Sequence, residues 1–254
     1  MPKLTDDNLV KGKLPTGSYG YSHTSLDELG ATEYTLVTIV QDVSGSVSTY
    51  KTEMEKAIQE VVQSCVHSPR ADNLMLRLVA FDDKLMEIHG FKLLENCNLT
   101  DYDNCLAIGG STALYDASEN AIMATSAYAK QLVDSDFDAN AIVFVITDGE
   151  DNSSTMQRKH VKEALQKAMK EEVLESIVTV LIGVGTKDYP GLSDILDEFK
   201  NEAGLTQYVE IGNANAKTLA KLAEFVSKSI SSQSQSLGTG SPSSQSGLAD
   251  LLDL

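Results

Sequence analysis

Residues 35–46, which read Thr-Leu-Val-Thr-Ile-Val-Gln-Asp-Val-Ser-Gly-Ser, decide how we interpret this chain. The first half of the stretch is almost continuously apolar, which is typical of a strand buried on both faces of a parallel sheet. The apolar run stops before Asp42, which is followed by Ser44 and Ser46. In open α/β sheets ligands bind at the carboxyl ends of the strands, and hard oxygen donors there suit a divalent cation such as Mg²⁺.

The composition excludes several classes of protein. A chain of 254 residues can hold one large α/β domain with extensions. Its net charge of −17 argues against nucleic acid as a main partner, because phosphate binding needs clustered Lys and Arg. No apolar window reaches the length of a membrane span, and the start of the chain lacks a signal-peptide core. We therefore expect a cytoplasmic protein that binds neither nucleic acid nor membrane.

Strands and helices alternate along most of the sequence. The predicted strands are residues 33–41, 73–81, 84–91, 141–147, 176–184 and 207–211. The predicted helices are residues 48–66, 113–133, 153–172, a segment that begins near Pro190, and 216–230. A short Asp-Asp connection at 82–83 makes the third strand antiparallel to the second. The pattern predicts a doubly wound, Rossmann-like α/β fold with a mostly parallel six-stranded sheet, one antiparallel edge strand and helices on both faces.

Two segments flank the predicted domain of residues 34–231. Residues 1–33 form an N-terminal extension that we expect to lie on the domain. Residues 232–254 are interpreted as a flexible tail, because a composition dominated by Ser, Gln and Gly buries too little apolar surface to fold. The tail ends in Leu-Ala-Asp-Leu-Leu-Asp-Leu, which fits either a docking peptide for another protein or a frayed terminus.

Oxygen-bearing side chains from two further segments join those that follow the first strand. Thr112 comes after two glycines at the start of a predicted helix, and Asp148 ends the second long apolar strand. Because these two strands are the expected central pair, their carboxyl ends should enclose the ligand-binding crevice. Each motif alone could be an ordinary helix cap or turn, but the three together favour a metal site. Glu150 and Asp151 are interpreted as solvated loop residues or as first-turn charges of the next helix.

These motifs resemble those of the von Willebrand factor type A (vWA) family, also called integrin I-like domains. The matching segments are the D-x-S-x-S motif at 42–46, Gly-Gly-Ser-Thr-Ala-Leu-Tyr-Asp-Ala at 109–117, and Thr-Asp-Gly at 147–149. The resemblance runs from about residue 34 to residue 230. Within the family, the chain most resembles stand-alone bacterial or phage proteins.

The resemblance implies a metal-ion-dependent adhesion site (MIDAS). Ser44, Ser46 and Thr112 would then bind Mg²⁺ or Mn²⁺ directly. Asp42 and Asp148 would act largely through bound waters. In the family an Asp or Glu of a partner protein completes the coordination, so the resemblance implies a binding module and not an enzyme. Some relatives work with AAA+ ATPases, which implies such an ATPase as one candidate partner.

A second function class shares part of this pattern. Mg²⁺-dependent phosphoester hydrolases of the haloacid-dehalogenase type also place an Asp after a central strand. Those enzymes use a second Asp two positions later as the acid/base, whereas this chain has Ser44 there. No strand-end Lys is evident to hold a phosphoryl group. We keep this reaction as the alternative to metal-dependent protein binding.

Overall fold

One mixed sheet forms the centre of the computed structural model, which describes residues 9–14, 19–170, 174, 176–186, 189–211 and 215–239. Its strands are β1 (Val10–Gly12), β2 (Tyr21–His23), β3 (Glu33–Asp42), β4 (Leu74–Phe81), β5 (Leu85–Leu93), β6 (Asp138–Thr147), β7 (Ile177–Val184) and β8 (Gln207–Ile211). The helices are α1 (Lys51–Val66), α2 (Leu114–Val133), α3 (Arg158–Lys170), α4 (Leu192–Ala203) and α5 (Ala216–Thr239). The strand order is β1-β2-β5-β4-β3-β6-β7-β8.

The two long apolar strands are neighbours at the centre of the sheet, as predicted. β3 and β6 run parallel and pair continuously from Glu33 opposite Asp138 to Gln41 opposite Ile146. β4 lies on the other side of β3, also parallel to it. After β3 the chain adds β4 and β5 on one side of it, and it later returns to add β6 on the other side. The carboxyl ends of β3 and β6 therefore form the topological switch point of the sheet.

Helices cover both faces of the sheet because successive strand residues point to opposite sides. Ile39 of β3 packs in the apolar cluster formed with α1 and α5. The next residue, Val40, packs in the cluster formed with α2, α3 and α4. The predicted α/β class, with a mostly parallel sheet between two helical layers, is confirmed.

The number of strands was predicted wrongly. The sheet has eight strands and not six, because the N-terminal extension contributes β1 and β2. β2 pairs with β5 at His23 and Phe91, so the antiparallel strand β5 does not lie at the edge of the sheet. Three-residue strands carry no periodic pattern that a sequence analysis can detect.

Two helix boundaries also differ from the prediction. α3 begins at Arg158 and not at residue 153, while the predicted end at 172 lies outside the described residues. α5 continues to Thr239, so the predicted end at Ile230 is wrong, and residues 232–239 belong to a helix instead of a flexible tail. Residues 240–254, including the terminal acidic and apolar peptide, lie outside the described residues. Of the helices that the structure describes, none combines the length and the apolarity needed to cross a membrane.

Candidate metal centre

Asp42 lies at the carboxyl end of β3 and is fully buried. Its Oδ1 accepts the backbone N–H of Ser44 at 2.8 Å, and its Oδ2 accepts the hydroxyl of Thr147 at 2.6 Å. Thr147 is the last residue of β6, so this carboxylate joins the ends of the two central strands. Burial raises the pKa of Asp42 to about 6, which the hydrogen bonds from Thr147 and Ser44 oppose and the nearby charge of Asp148 adds to. A positive charge in the cleft would favour the ionised form.

The two serines of the D-x-S-x-S motif meet Asp148 across the crevice. The Oγ atoms of Ser44 and Ser46 are 3.1 Å apart, and Ser46 donates its hydroxyl to Asp148 Oδ1 at 2.8 Å. Ser44 is buried, whereas Ser46 is exposed at the mouth of the cleft. Ser46 and Asp148, which are 102 positions apart in the sequence, are therefore joined by a direct hydrogen bond.

The third predicted segment reaches the same cleft. Thr112 lines it together with Ser46 and Asp148. The Thr112 Oγ1 atom lies 3.8 Å from the position that a Cβ would take on Gly149, the residue after Asp148. The backbone of Thr112 is fixed by Asn152, whose Oδ1 accepts the Thr112 N–H at 2.8 Å and whose own N–H donates to the Thr112 carbonyl at 3.0 Å. The structure thus brings all three predicted segments together.

Gly110 shapes the loop that carries Thr112. Its φ is +68°, and a Cβ there would lie 2.6 Å from Asp83 Oδ1 and 2.8 Å from Asp82 Cγ. Glycine is the residue that tolerates both this conformation and this close approach. The loop is also held by two backbone hydrogen bonds, from Gly109 to Val43 at 2.9 Å and from residue 113 to Asp82 at 2.8 Å.

Three residues that contact the site were not predicted to belong to it, although one of them, Thr147, is part of the Thr-Asp-Gly motif. Tyr50 donates its hydroxyl to Asp148 Oδ2 at 2.6 Å, so both oxygens of this carboxylate accept a hydrogen bond. Burial and the neighbouring carboxylates raise the pKa of Tyr50 well above its usual value. Thr147 and Asn152 are the others, and their proximity to Asp148 in the sequence was an available signal. Tyr50 had no such signal, because its contact joins residues 98 positions apart.

The interpretation of the acidic residues Glu150 and Asp151 from the sequence is only partly correct. Glu150 is an exposed loop residue that lines the cleft. Asp151 accepts the hydroxyl of Ser154 and, at 3.4 Å, the backbone N–H of Tyr115. Because α3 begins only at Arg158, neither acid is a first-turn charge of that helix. Asp151 instead ties this loop to the beginning of α2.

The donor set fits a hard divalent cation. It consists of two carboxylates and three hydroxyls, and oxygen ligands of this kind suit Mg²⁺ or Mn²⁺. Nowhere in the described ranges, this cleft included, do three or more His, Cys, Asp or Glu side chains lie together so that they could hold a metal ion. A cation in this cleft would therefore depend on the hydroxyls of Ser44, Ser46 and Thr112.

No protein-family model matches the chain, and no curated protein sequence matches it. Solved structures do resemble it. Proximal thread matrix protein 1 (PTMP1) from the mussel byssus, in a structure with a zinc-occupied MIDAS motif, is 22% identical with a TM-score of 0.53 over 78% of this chain and 46% of that one. A D319A mutant of the PilB minor pilin from Streptococcus sanguinis is 13% identical with a TM-score of 0.60 over 85% and 65%.

The pilus adhesin SpaC from Lactobacillus rhamnosus GG, in its open conformation, is 11% identical with a TM-score of 0.56 over 80% of this chain and 30% of that one. This chain thus spans less than two thirds of the length of each of these proteins. At such identities the likeness establishes the fold, while the predicted stand-alone bacterial or phage type stays a prediction. The chain has a vWA-like fold, as its sequence motifs predict.

Proposed function

We propose that this chain is a divalent-metal-dependent module that binds another protein through a carboxylate. Ser44, Ser46 and Thr112 would hold the cation directly, with Asp42 and Asp148 behind them. The observation that carries the proposal is the meeting of three distant segments at one solvent-open cleft: Ser46, Thr112 and Asp148 line it. Buried Ser44 and Asp42 lie behind them, Ser44 in contact with Ser46 and Asp42 with the Ser44 N–H. An Asp or Glu of the partner would complete the coordination.

The charges around the cleft explain why an external acid would bind there. Three of the proposed ligands are neutral hydroxyls. The two carboxylates share their negative charge with hydrogen-bond donors, namely the Ser44 N–H and Thr147 for Asp42, and Ser46 and Tyr50 for Asp148. A bound divalent ion would keep positive character toward solvent. Since the chain carries a net charge of −17, it would repel an acidic partner in the absence of that ion.

Several observations favour binding over catalysis. The hydroxyl of Ser44 occupies the position where the haloacid-dehalogenase alternative needs a carboxylate, and it contacts Ser46. The structures that resemble the chain are a matrix protein, a pilin and a pilus adhesin. The all-oxygen donor set favours Mg²⁺ or Mn²⁺, although zinc occupies the motif in PTMP1. An AAA+ ATPase as the partner and a cytoplasmic location stay predictions.

Calorimetric titration with Mn²⁺ tests the site. We expect the wild type to bind one ion, and Asp42→Ala or Asp148→Ala to weaken binding at least about tenfold, as loss of supporting groups does at other metal sites. The matched control is Asp138→Ala, which removes an exposed aspartate at the other end of β6 and should not change the affinity. Unchanged Mn²⁺ binding in Asp148→Ala would refute the site.

Two further measurements separate the function classes. Capture of a partner protein that is abolished both by a chelator and by Asp148→Ala would support metal-dependent binding. Mg²⁺-dependent hydrolysis of an aryl phosphate by the wild type, lost in Asp42→Ala, would support the hydrolase alternative instead.

A further inference from the structure

The cleft at the candidate metal centre has an apolar wall opposite its oxygen donors. Ser46, Thr112 and Asp148 line one side. The apolar wall consists of Tyr189, Pro190, Leu192 and Ile195, at the beginning of α4. The cleft is open to solvent and has a volume of about 420 Å³. One metal ion and one carboxylate fill only part of that space.

Among the residues of the apolar wall, Tyr189 is the strongest indication of a contact surface, because 55% of its surface is exposed. The other markedly exposed large apolar side chains of the described ranges are Val10, Val66, Met86, Leu99, Val133 and Met169. None of those six lines this cleft. An exposed tyrosine beside a candidate binding site is a typical anchor of protein interfaces, since its ring offers a large rigid contact area.

Backbone hydrogen bonds hold Tyr189 at the beginning of the apolar wall. The Tyr189 N–H donates to the Thr186 carbonyl at 3.1 Å, and the Thr186 hydroxyl donates to Glu210 of β8 at 2.7 Å. The Leu192 N–H in turn donates to the Tyr189 carbonyl at 3.1 Å. Gly191, with a φ of +86°, allows the chain to turn into α4. The wall is therefore formed before a partner arrives, which lowers the entropy lost on binding.

We propose that the partner carries an aliphatic or aromatic residue within two positions of its metal-binding Asp or Glu, and that this side chain packs on the apolar wall. The inference rests on the proposed function and specifies the chemistry of the partner. Continuity supports it, because the wall and the oxygen donors line the same cleft. Charge supports it as well, since exposed Glu150 at the same cleft disfavours a second acidic residue of the partner there.

Selection of phage-displayed random peptides on the full chain tests this inference. The peptides are bound in the presence of MgCl₂ and eluted with EDTA. We expect the eluted sequences to combine an Asp or Glu with an apolar residue within two positions. Selection on Tyr189→Ser should keep the acidic residue and weaken the preference for the apolar one. Met169→Ser is the matched control, because it removes another exposed apolar side chain, on α3, that does not line the cleft.

A double-mutant cycle with a synthetic peptide from the selection quantifies the contact. Replacing the apolar residue of the peptide by Gly should weaken binding to the wild type at least about fivefold, the loss expected for an interface anchor. The same replacement should cost clearly less on Tyr189→Ser, because the most exposed part of the apolar wall is already absent there. Tyr189 is exposed, so we expect the variant to fold.

The possible outcomes separate this inference from the proposed function. EDTA-eluted peptides that share an acid but show no apolar preference would overturn the inference and leave the metal-dependent function intact. Equal fivefold losses on the wild type and on Tyr189→Ser would overturn it too. Peptides that bind without an acid and resist EDTA would overturn both, and the Mn²⁺ titration would then show whether the metal site itself fails.

Discussion

At the scale of single residues, Asp42 belongs to the candidate site and at the same time lowers the stability of the folded, metal-free protein. Its carboxylate is fully buried, and the hydrogen bonds from Thr147 and Ser44 compensate only part of the lost solvation. The loss of solvation that is not compensated raises the pKa of Asp42, so the carboxyl group favours its neutral form. A side chain suited to a cation thus destabilises the metal-free protein.

This conflict predicts how the stability of the metal-free protein depends on pH. The pKa of Asp42 is about 6 in the folded chain against an ordinary value of 3.8, so between these values the folded state binds more protons than the unfolded state. The contribution of Asp42 to the free energy of unfolding should therefore fall by about 3 kcal/mol as the pH rises from about 4 to above 6. Urea unfolding in EDTA at several pH values measures it.

The comparison with Asp42→Asn isolates this contribution from the other titrating groups. The difference in unfolding free energy between the variant and the wild type should shift in favour of Asp42→Asn as the pH rises through that range. Parallel stability curves for the two proteins would contradict the prediction, because the carboxylate would then titrate alike in the folded and unfolded chains.

At the scale of the element, the end of α5 is held by polar contacts and not by an apolar stripe alone. Gln233 is buried, and its Nε2 donates to the Ser176 hydroxyl at 2.7 Å and to the Ala141 carbonyl at 3.2 Å. The backbone carbonyl of Gln233 accepts the side-chain N–H of Asn140 at 2.6 Å. These contacts lie where β6 and β7 begin, at the opposite end of the sheet from the candidate metal centre. They explain why a Ser- and Gln-rich segment is helical here.

Gln233→Ala should lower the free energy of unfolding by about 2 kcal/mol. The substitution removes two side-chain hydrogen bonds, one to the buried Ala141 carbonyl and one to the part-buried Ser176 hydroxyl, and loss of such partners costs about 1–3 kcal/mol. Urea unfolding followed by circular dichroism measures the effect. As a control, Gln63→Ala makes the same change on an exposed position of α1, and we expect a change within about 0.5 kcal/mol. Equal effects of the two substitutions would show that the end of α5 contributes nothing specific.

At the scale of the whole molecule, the N-terminal extension is a structural part of the domain. His23 of β2 stacks on Tyr128 of α2 with ring centroids 4.5 Å apart, and Tyr128 stacks on Phe91 of β5 at 5.3 Å. The Thr24 N–H donates to the Phe91 carbonyl at 2.7 Å, and the Tyr128 hydroxyl donates to the Thr24 carbonyl at 3.0 Å. The extension therefore covers rings that would otherwise face solvent at the side of β5.

Deletion of residues 1–25 should lower the free energy of unfolding by at least about 3 kcal/mol. The deletion removes the cover from Phe91 and Tyr128, both fully buried in the chain, and exposing such a side chain costs about 1.5–3 kcal/mol. It also leaves β5 as an open edge, so light scattering should report association. Deletion of residues 1–8 alone keeps β1 and β2 and is the control. A stable, monomeric 1–25 deletion would contradict this role.

Much of the fold followed from local sequence patterns. The continuous apolar runs of β3 and β6 identified the central pair, since strands buried on both faces need no polar alternation. The oxygen donors that follow them were placed at one edge because parallel strands end on the same side. Asp42, Ser44, Ser46, Thr112 and Asp148 could thus be grouped before the structure was known, and the cleft does bring their segments together.

Only the tertiary structure decided the rest. The bond between Tyr50 and Asp148, the apolar wall around Tyr189, the buried amide of Gln233 and the added strands β1 and β2 all depend on partners far away in the sequence. Periodicity and composition describe a residue by its neighbours along the chain. A hydrogen bond or a ring contact depends on which distant groups the fold brings near, so a polar segment such as 231–239 becomes ordered where those groups satisfy it.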